Sequence, residues 1–145
     1  MNFFKLLIGG LALLAACNGS PNANELHEGD YWISYPKQVP QSEAQNLLNY
    51  LKTEKITLTK FQLYHHADTV VVRVYGSPSI GKKNRKNSEY AYQLLANDLS
   101  KRCFQKKAVR LLLADKMNPS ANQLSLLSNQ EAGYSEIKDS LQPPK

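Results

Sequence analysis

The chain is predicted to fold as α+β: a β-α-β-β-α-β split sheet with two helices packed on one face of an antiparallel sheet. Three observations carry this expectation. Residues 69–75 (Thr-Val-Val-Val-Arg-Val-Tyr) and 109–114 (Val-Arg-Leu-Leu-Leu-Ala) are dense in β-branched and aliphatic residues and short enough for strands. Two stretches with helical apolar spacing, one after Ser42 and one from Ser88, separate the strand-like runs. His66-Ala67-Asp68 joins two of those runs closely enough for a hairpin.

The first strand is expected at 30–35, Asp-Tyr-Trp-Ile-Ser-Tyr, an aromatic and β-prone segment. Alternation puts Tyr31, Ile33 and Tyr35 on one face and Trp32 on the other. Pro36 and Pro40 bracket the loop that ends it. The first helix starts at Ser42: Ser42 and Gln45 fit a capping box, and Ala44, Leu47, Leu48 and Leu51 form one stripe.

Residues 56–65 read as a strand with a phase defect. Ile56 and Leu58 share one parity, Phe61 and Leu63 the other. A bulge near Thr59-Lys60 repairs the phase, as does a strand that begins only at Lys60. A long loop over 76–87 leads to the second helix, 88–104, in which Ala91, Leu95, Leu99 and Cys103 recur every four residues with Leu94 beside them. From Asn118 the chain is polar. Leu124, Leu126 and Leu127 suggest one short helix, and the Gln-Pro-Pro-Lys end suggests disorder.

The order β-α-β-β-α-β is the ferredoxin-like arrangement. Without the aromatic first strand, the order α-β-β-α-β over residues 42–114 is similar to the BON domain, a small periplasmic module associated with lipoproteins and membrane attachment.

The N-terminus carries an address. Met1 to Lys5 form a short basic start, residues 6–14 an apolar run too short to span a bilayer, and Leu14-Ala15-Ala16-Cys17 then resembles the lipobox of bacterial lipoproteins. The resemblance implies export, cleavage before Cys17, lipidation of Cys17 and a stable hold on the membrane, since several acyl chains on one cysteine exceed the marginal binding of one. Asn18-Gly19-Ser20-Pro21 carries neither an inner-membrane retention aspartate nor an acidic surface-export cluster, so the expected address is the periplasmic face of the outer membrane. The resulting organisation is a cleaved signal peptide at 1–16, a lipidated flexible tether at 17–29, a domain at 30–117 and an extension at 118–145.

The chain has 145 residues and a formal charge of +6. Removing the signal takes away one cation, Lys5, and leaves a moderate excess that suits anionic headgroups, lipopolysaccharide phosphates or acidic partners. Nucleic acid is not an expected partner in that compartment. With Cys17 lipidated, Cys103 has no disulfide partner, and its place in the apolar stripe predicts a buried thiol.

Four candidate features remain. Gly76-Ser77-Pro78-Ser79-Ile80-Gly81-Lys82-Lys83 has the glycine and lysine spacing of a P-loop, but Lys83 stands where the magnesium-binding hydroxyl belongs. Lys82, Lys83, Arg85 and Lys86 concentrate positive charge ahead of a helix and form a candidate anion- or partner-binding loop, with a solvated loop as the simpler reading. His65, His66 and Asp68 lack metal-site spacing, and adjacent strand residues face opposite ways, so no metal or other cofactor is expected. Tyr31, Trp32 and Tyr35 form a candidate partner-binding cluster, to which Tyr50, Tyr64 and Tyr75 add aromatic area.

No nucleophile-base arrangement and no paired carboxylates stand out, so no catalytic residues are assigned. The sequence therefore points to a non-enzymatic, membrane-anchored lipoprotein serving as an accessory or assembly subunit of an envelope complex, such as a secretion machine. The alternative is a ligand-binding lipoprotein that recognises an anionic envelope lipid or polymer, and the third reading is an envelope hydrolase.

Overall fold

Alternation along the strands decides which side of the sheet is buried. The computed structural model describes residues 23–116 and 118–129. The elements are β1 (Ala23–Glu28), β2 (Tyr31–Pro36), α1 (Gln41–Thr53), β3 (Lys60–His66), β4 (Thr69–Tyr75), a 3-10 turn (Lys82–Asn84), α2 (Arg85–Arg102), β5 (Val109–Ala114) and β6 (Asn122–Leu127). The strands form one six-stranded sheet in the order β1-β2-β3-β4-β5-β6. The three consecutive hairpins, β1-β2, β3-β4 and β5-β6, pair antiparallel. The two helical crossovers, β2-α1-β3 and β4-α2-β5, join parallel neighbours.

Every second strand residue feeds one core. Ile33 and Tyr35, Phe61 and Leu63, Val70, Val72 and Val74, then Val109, Leu111 and Leu113, and finally Leu124 are all buried. The register aligns them across the sheet, with Ile33 opposite Phe61, Phe61 opposite Val74, Val74 opposite Leu113 and Leu113 opposite Leu124. Both helices cover this face. The α1 stripe is Ala44, Leu47, Leu48 and Leu51, as its spacing predicts, and α2 contributes Ala96 and Leu99, with Cys103 and Phe104 just beyond its end. Tyr50 of α1 donates to Asp98 of α2 at 2.7 Å, which ties the helices to each other.

This is α+β, but it is not the split, ferredoxin-like sheet. That arrangement interleaves its strands, so its two crossovers step in opposite directions and share one hand. Here both step the same way along the sheet, with strands of opposite polarity and both helices on one face. The two crossovers therefore have opposite hands, and one runs against the strong right-handed preference of parallel connections. The sheet is mixed rather than antiparallel for the same reason.

Several element expectations need correction. Ala23–Glu28, expected within a tether, pairs along its full length with β2 through a tight turn at Gly29 (φ 59°). Residues 122–127, expected to be helical, form β6: Leu124 is buried against Leu113, which a strand on the sheet edge achieves and a free-standing helical turn does not. The strand after α1 begins at Lys60, the second of the two repairs to its phase. Helix α1 has Pro40 at its N-cap with no side-chain cap, and Gln45 bonds forward to Asn49, so the capping box does not form. Helix α2 begins at Arg85 rather than Ser88, and its register leaves Leu94 exposed while Ala96 is buried.

Candidate functional site

The face of the sheet turned away from the helices carries the side chains of alternate strand residues. Its side chains lie in rows set by strand register. The first row runs His27, Trp32, Lys60, Tyr75. The second runs Glu25, Ser34, Gln62, Arg73, Leu112, Ser125. A third holds Tyr64, Val71, Arg110 and Leu127. Lys60, Arg73 and Arg110 thus sit one strand and one row apart, forming a diagonal across the sheet centre. With strands about 4.8 Å apart and same-face residues about 6.7 Å apart along a strand, successive α-carbons on it are about 8 Å apart.

Aromatic rings flank these cations. Lys60 Nζ lies 6.0 Å from the Trp32 ring centroid and the Arg73 guanidinium carbon 5.3 Å from that of Tyr75, a geometry in which the ring faces attract the charge. Arg73 donates from Nη2 to Pro119 O at 2.5 Å, Arg110 from Nη1 to Ser125 Oγ at 3.0 Å, and Tyr75 from its hydroxyl to Gln62 Oε1 at 2.9 Å. These bonds hold the heads within the plane of the face. Among the described residues, no carboxylate lies within ion-pair distance of Lys60, Arg73 or Arg110, and the two buried side-chain nitrogens without a hydrogen-bond partner, Trp32 Nε1 and Arg73 Nε, both belong to this face. Glu25, its one acid within the strands, is held below the usual carboxylate range first by its bond with His27 and then by the facing Trp32 indole.

On the helical side Lys52, Arg85, Arg102 and Lys107 are ion-paired, while Lys82, Lys83 and Lys101 have no ion pair among the described residues. Arg102 meets Glu54 at 2.6 Å and Asp98 at 3.1 Å, beside a groove of about 230 Å³ lined by Asn46, Asn49, Tyr50, Thr53 and Arg102. Burial and the bond to Asp98 push the Tyr50 hydroxyl pKa well up, so it stays a neutral donor. At the opposite end of α1, the buried Glu43 accepts from His65 Nε2 at 2.6 Å and Lys107 Nζ at 2.8 Å. Burial works against its charge, but the bonds from Lys107 and His65 outweigh burial and hold the carboxyl below its ordinary value. This is a structural tie between α1, β3 and the start of β5.

The expected site residues separate accordingly. Of the aromatic trio, the alternation holds: Tyr35 is core, Tyr31 turns under the sheet to bond Leu51 O and Ile56 O at the end of α1, and Trp32 alone reaches the open face. Lys82 and Lys83 lie in the 3-10 turn, and Arg85 and Lys86 in the first turn of α2 rather than in a loop. Arg85 pairs with Glu89 at 2.9 Å, and Gln123 of β6 holds the preceding Ile80 N–H, so this cluster sits by the β6 edge, away from Trp32. In the P-loop-like stretch the buried Ser77 hydroxyl bonds Ala114 O. His65 faces Glu43 while His66 falls on the other face, and no group of three metal-ligating side chains occurs among the described residues. Cys103 is buried, which pushes its thiol pKa up to about 12. Cys17 lies outside the described residues, and among them no helix is long and apolar enough to cross a membrane.

The diagonal was not assigned from sequence, yet a signal exists. Lys60, Gln62 and Tyr64 are the parity opposite Phe61 and Leu63, and Arg73 and Arg110 are the only charged residues inside β4 and β5. A cation within an otherwise apolar strand marks an uncovered face.

Residues 29–126 match the model of AF_1994_N, described as a family N-terminal domain. The chain belongs to the AF_1994_N family. The matched span runs from the β1-β2 turn into β6, so the family domain includes both crossovers and the whole cationic diagonal. Searches of curated proteins and of solved structures found no match.

Proposed function

We propose that this AF_1994_N family member is a membrane-anchored envelope lipoprotein and a non-enzymatic accessory or assembly subunit that docks a protein partner on the open sheet face. The carrying observation is that face itself: aromatic side chains and three cations without acidic partners among the described residues, presented by a sheet whose other side is filled by both helices. Aromatic residues and arginine are the side chains that concentrate binding energy at interfaces. The lipobox-like Leu14-Ala15-Ala16-Cys17 supports the anchor, and a lipid would raise the effective concentration of the domain for membrane-bound partners. Exposed Lys82, Lys83 and Lys86, at a helix start with no acid in its first turn, favour direct binding of an anionic envelope lipid or polymer as a second reading.

Affinity purification from gently extracted envelope, with a C-terminal tag and mass spectrometry, tests the reading. A reproducible set of membrane proteins, lost on replacing Cys17 and on reversing Lys60 and Arg110, is expected. Recovery of the same set with the face reversed removes the open face as the docking surface.

A further inference from the structure

Building on the open-face reading, we infer that the partner segment docked there is an acidic, extended stretch of polypeptide, bound along the Lys60-Arg73-Arg110 diagonal. Charge complementarity is the first argument. The three cations lack carboxylate partners among the described residues, as several exposed lysines elsewhere do, but only these stand together on one sheet face beside the rings of Trp32 and Tyr75. Fixed guanidinium groups suit planar carboxylates, which they bind through paired N–H donors.

Arg73 Nε is a buried donor on this face with no hydrogen-bond partner, whereas Trp32 Nε1 in the adjacent row already faces the Glu25 carboxylate. Arg73 spends Nη2 on Pro119 O, which leaves Nε as the donor in want of an acceptor. A buried unsatisfied donor costs roughly the full desolvation of the group, so an acceptor that reaches it gains correspondingly.

Spacing and reach favour polypeptide over other anions. Alternate side chains of an extended peptide recur about 6.7 Å apart, within side-chain adjustment of the ~8 Å diagonal. Glutamate carboxylates sit on flexible stems, so each can meet its cation by side-chain rotation alone, whereas phosphates are fixed in the membrane plane or in the nucleic-acid backbone itself.

Trp32 is the single tryptophan of the chain, so its fluorescence reports the site directly. The full chain in dodecyl maltoside is titrated with a 12-residue peptide alternating glutamate and threonine, with its lysine-threonine counterpart, with a 12-residue oligothymidylate, and with phosphatidylglycerol added to the micelles. A saturable change with the glutamate peptide alone is expected, weakened at least tenfold by Lys60→Glu with Arg110→Glu and by raised salt. Lys60→Gln with Arg110→Gln, checked by circular dichroism, supplies a milder variant with an intermediate loss. Equal or tighter response to oligothymidylate or phosphatidylglycerol overturns the inference, as does no response to any probe, or an unchanged response in the reversed variant. If the glutamate peptide fails while envelope partners still depend on Lys60 and Arg110, the docking reading stands and the acidic-peptide inference falls.

Discussion

Replacing Glu43 by glutamine should destabilise the domain at neutral pH and leave it nearly unchanged in acid. Glu43 is 9 % exposed and accepts two hydrogen bonds, from His65 at 2.6 Å and Lys107 at 2.8 Å. A sheltered hydrogen bond to a charged group contributes about 1.5–3 kcal/mol. Lys107 is 47 % exposed and His65 34 % at the side chain, so solvent screening lowers their share. The amide retains one acceptor but turns a donor toward one of the two partners. The expected loss at pH 7 is about 1–2 kcal/mol, or roughly 5–10 °C in Tm for a domain of this size.

The pH dependence gives the prediction its edge. The folded Glu43 pKa lies below its ordinary value of 4.5. Its charge therefore contributes stability that is complete above the unfolded value and is lost as pH falls through the folded one. Urea denaturation of both proteins from pH 7 down to about pH 2 should show the gap closing below pH 4.5. A gap that persists undiminished at the acid end would assign the loss to packing and refute the charge argument.

Four further outcomes follow from the geometry. Leu124→Ala should cost about 2–3 kcal/mol in urea denaturation, because Leu124 is 5 % exposed on β6 against Leu113; a cost near zero would detach β6 from the core. Ala67→Gly should stabilise by up to about 1 kcal/mol, since Ala67 holds φ 51° in the β3-β4 turn; thermal melting reads the sign. Tyr31→Phe should lose about 0.5–1.5 kcal/mol through its bonds to the carbonyls of Leu51 and Ile56, with faster amide exchange at the end of α1 as the local signature. Cys103 should resist thiol reagents at pH 8 in the native state and react on unfolding; rapid native labelling would contradict its burial and its pKa near 12.

Periodicity revealed the strands with strong apolar parity and failed where the pattern was thin. Residues 69–75 and 109–114 are strands at the expected bounds because β-branched and aliphatic runs leave little choice. β1 is invisible to the same reasoning: in Ala-Asn-Glu-Leu-His-Glu only Leu26 is a large apolar residue, and its pairing with Ile33 comes from the Gly29 turn and an edge already built by β2. β6 presents Leu124, Leu126 and Leu127, a spacing that fits part of either period, and only the neighbouring β5 resolves it. Strand order was equally out of reach, since element sequence alone does not say on which side of β4 the strand β5 will pair. The open face was half legible: alternation isolates Trp32, but Lys60, Arg73 and Arg110 become neighbours only through register across three strands.

The most direct test of the docking face is a photo-crosslinking amino acid placed in cells at Gln62, in the middle of the open face, and separately at Lys101, on the exposed side of α2. The account predicts a discrete protein adduct from position 62 and none from position 101. Adducts from 101 with none from 62 would contradict it and move the interaction surface to the helical side.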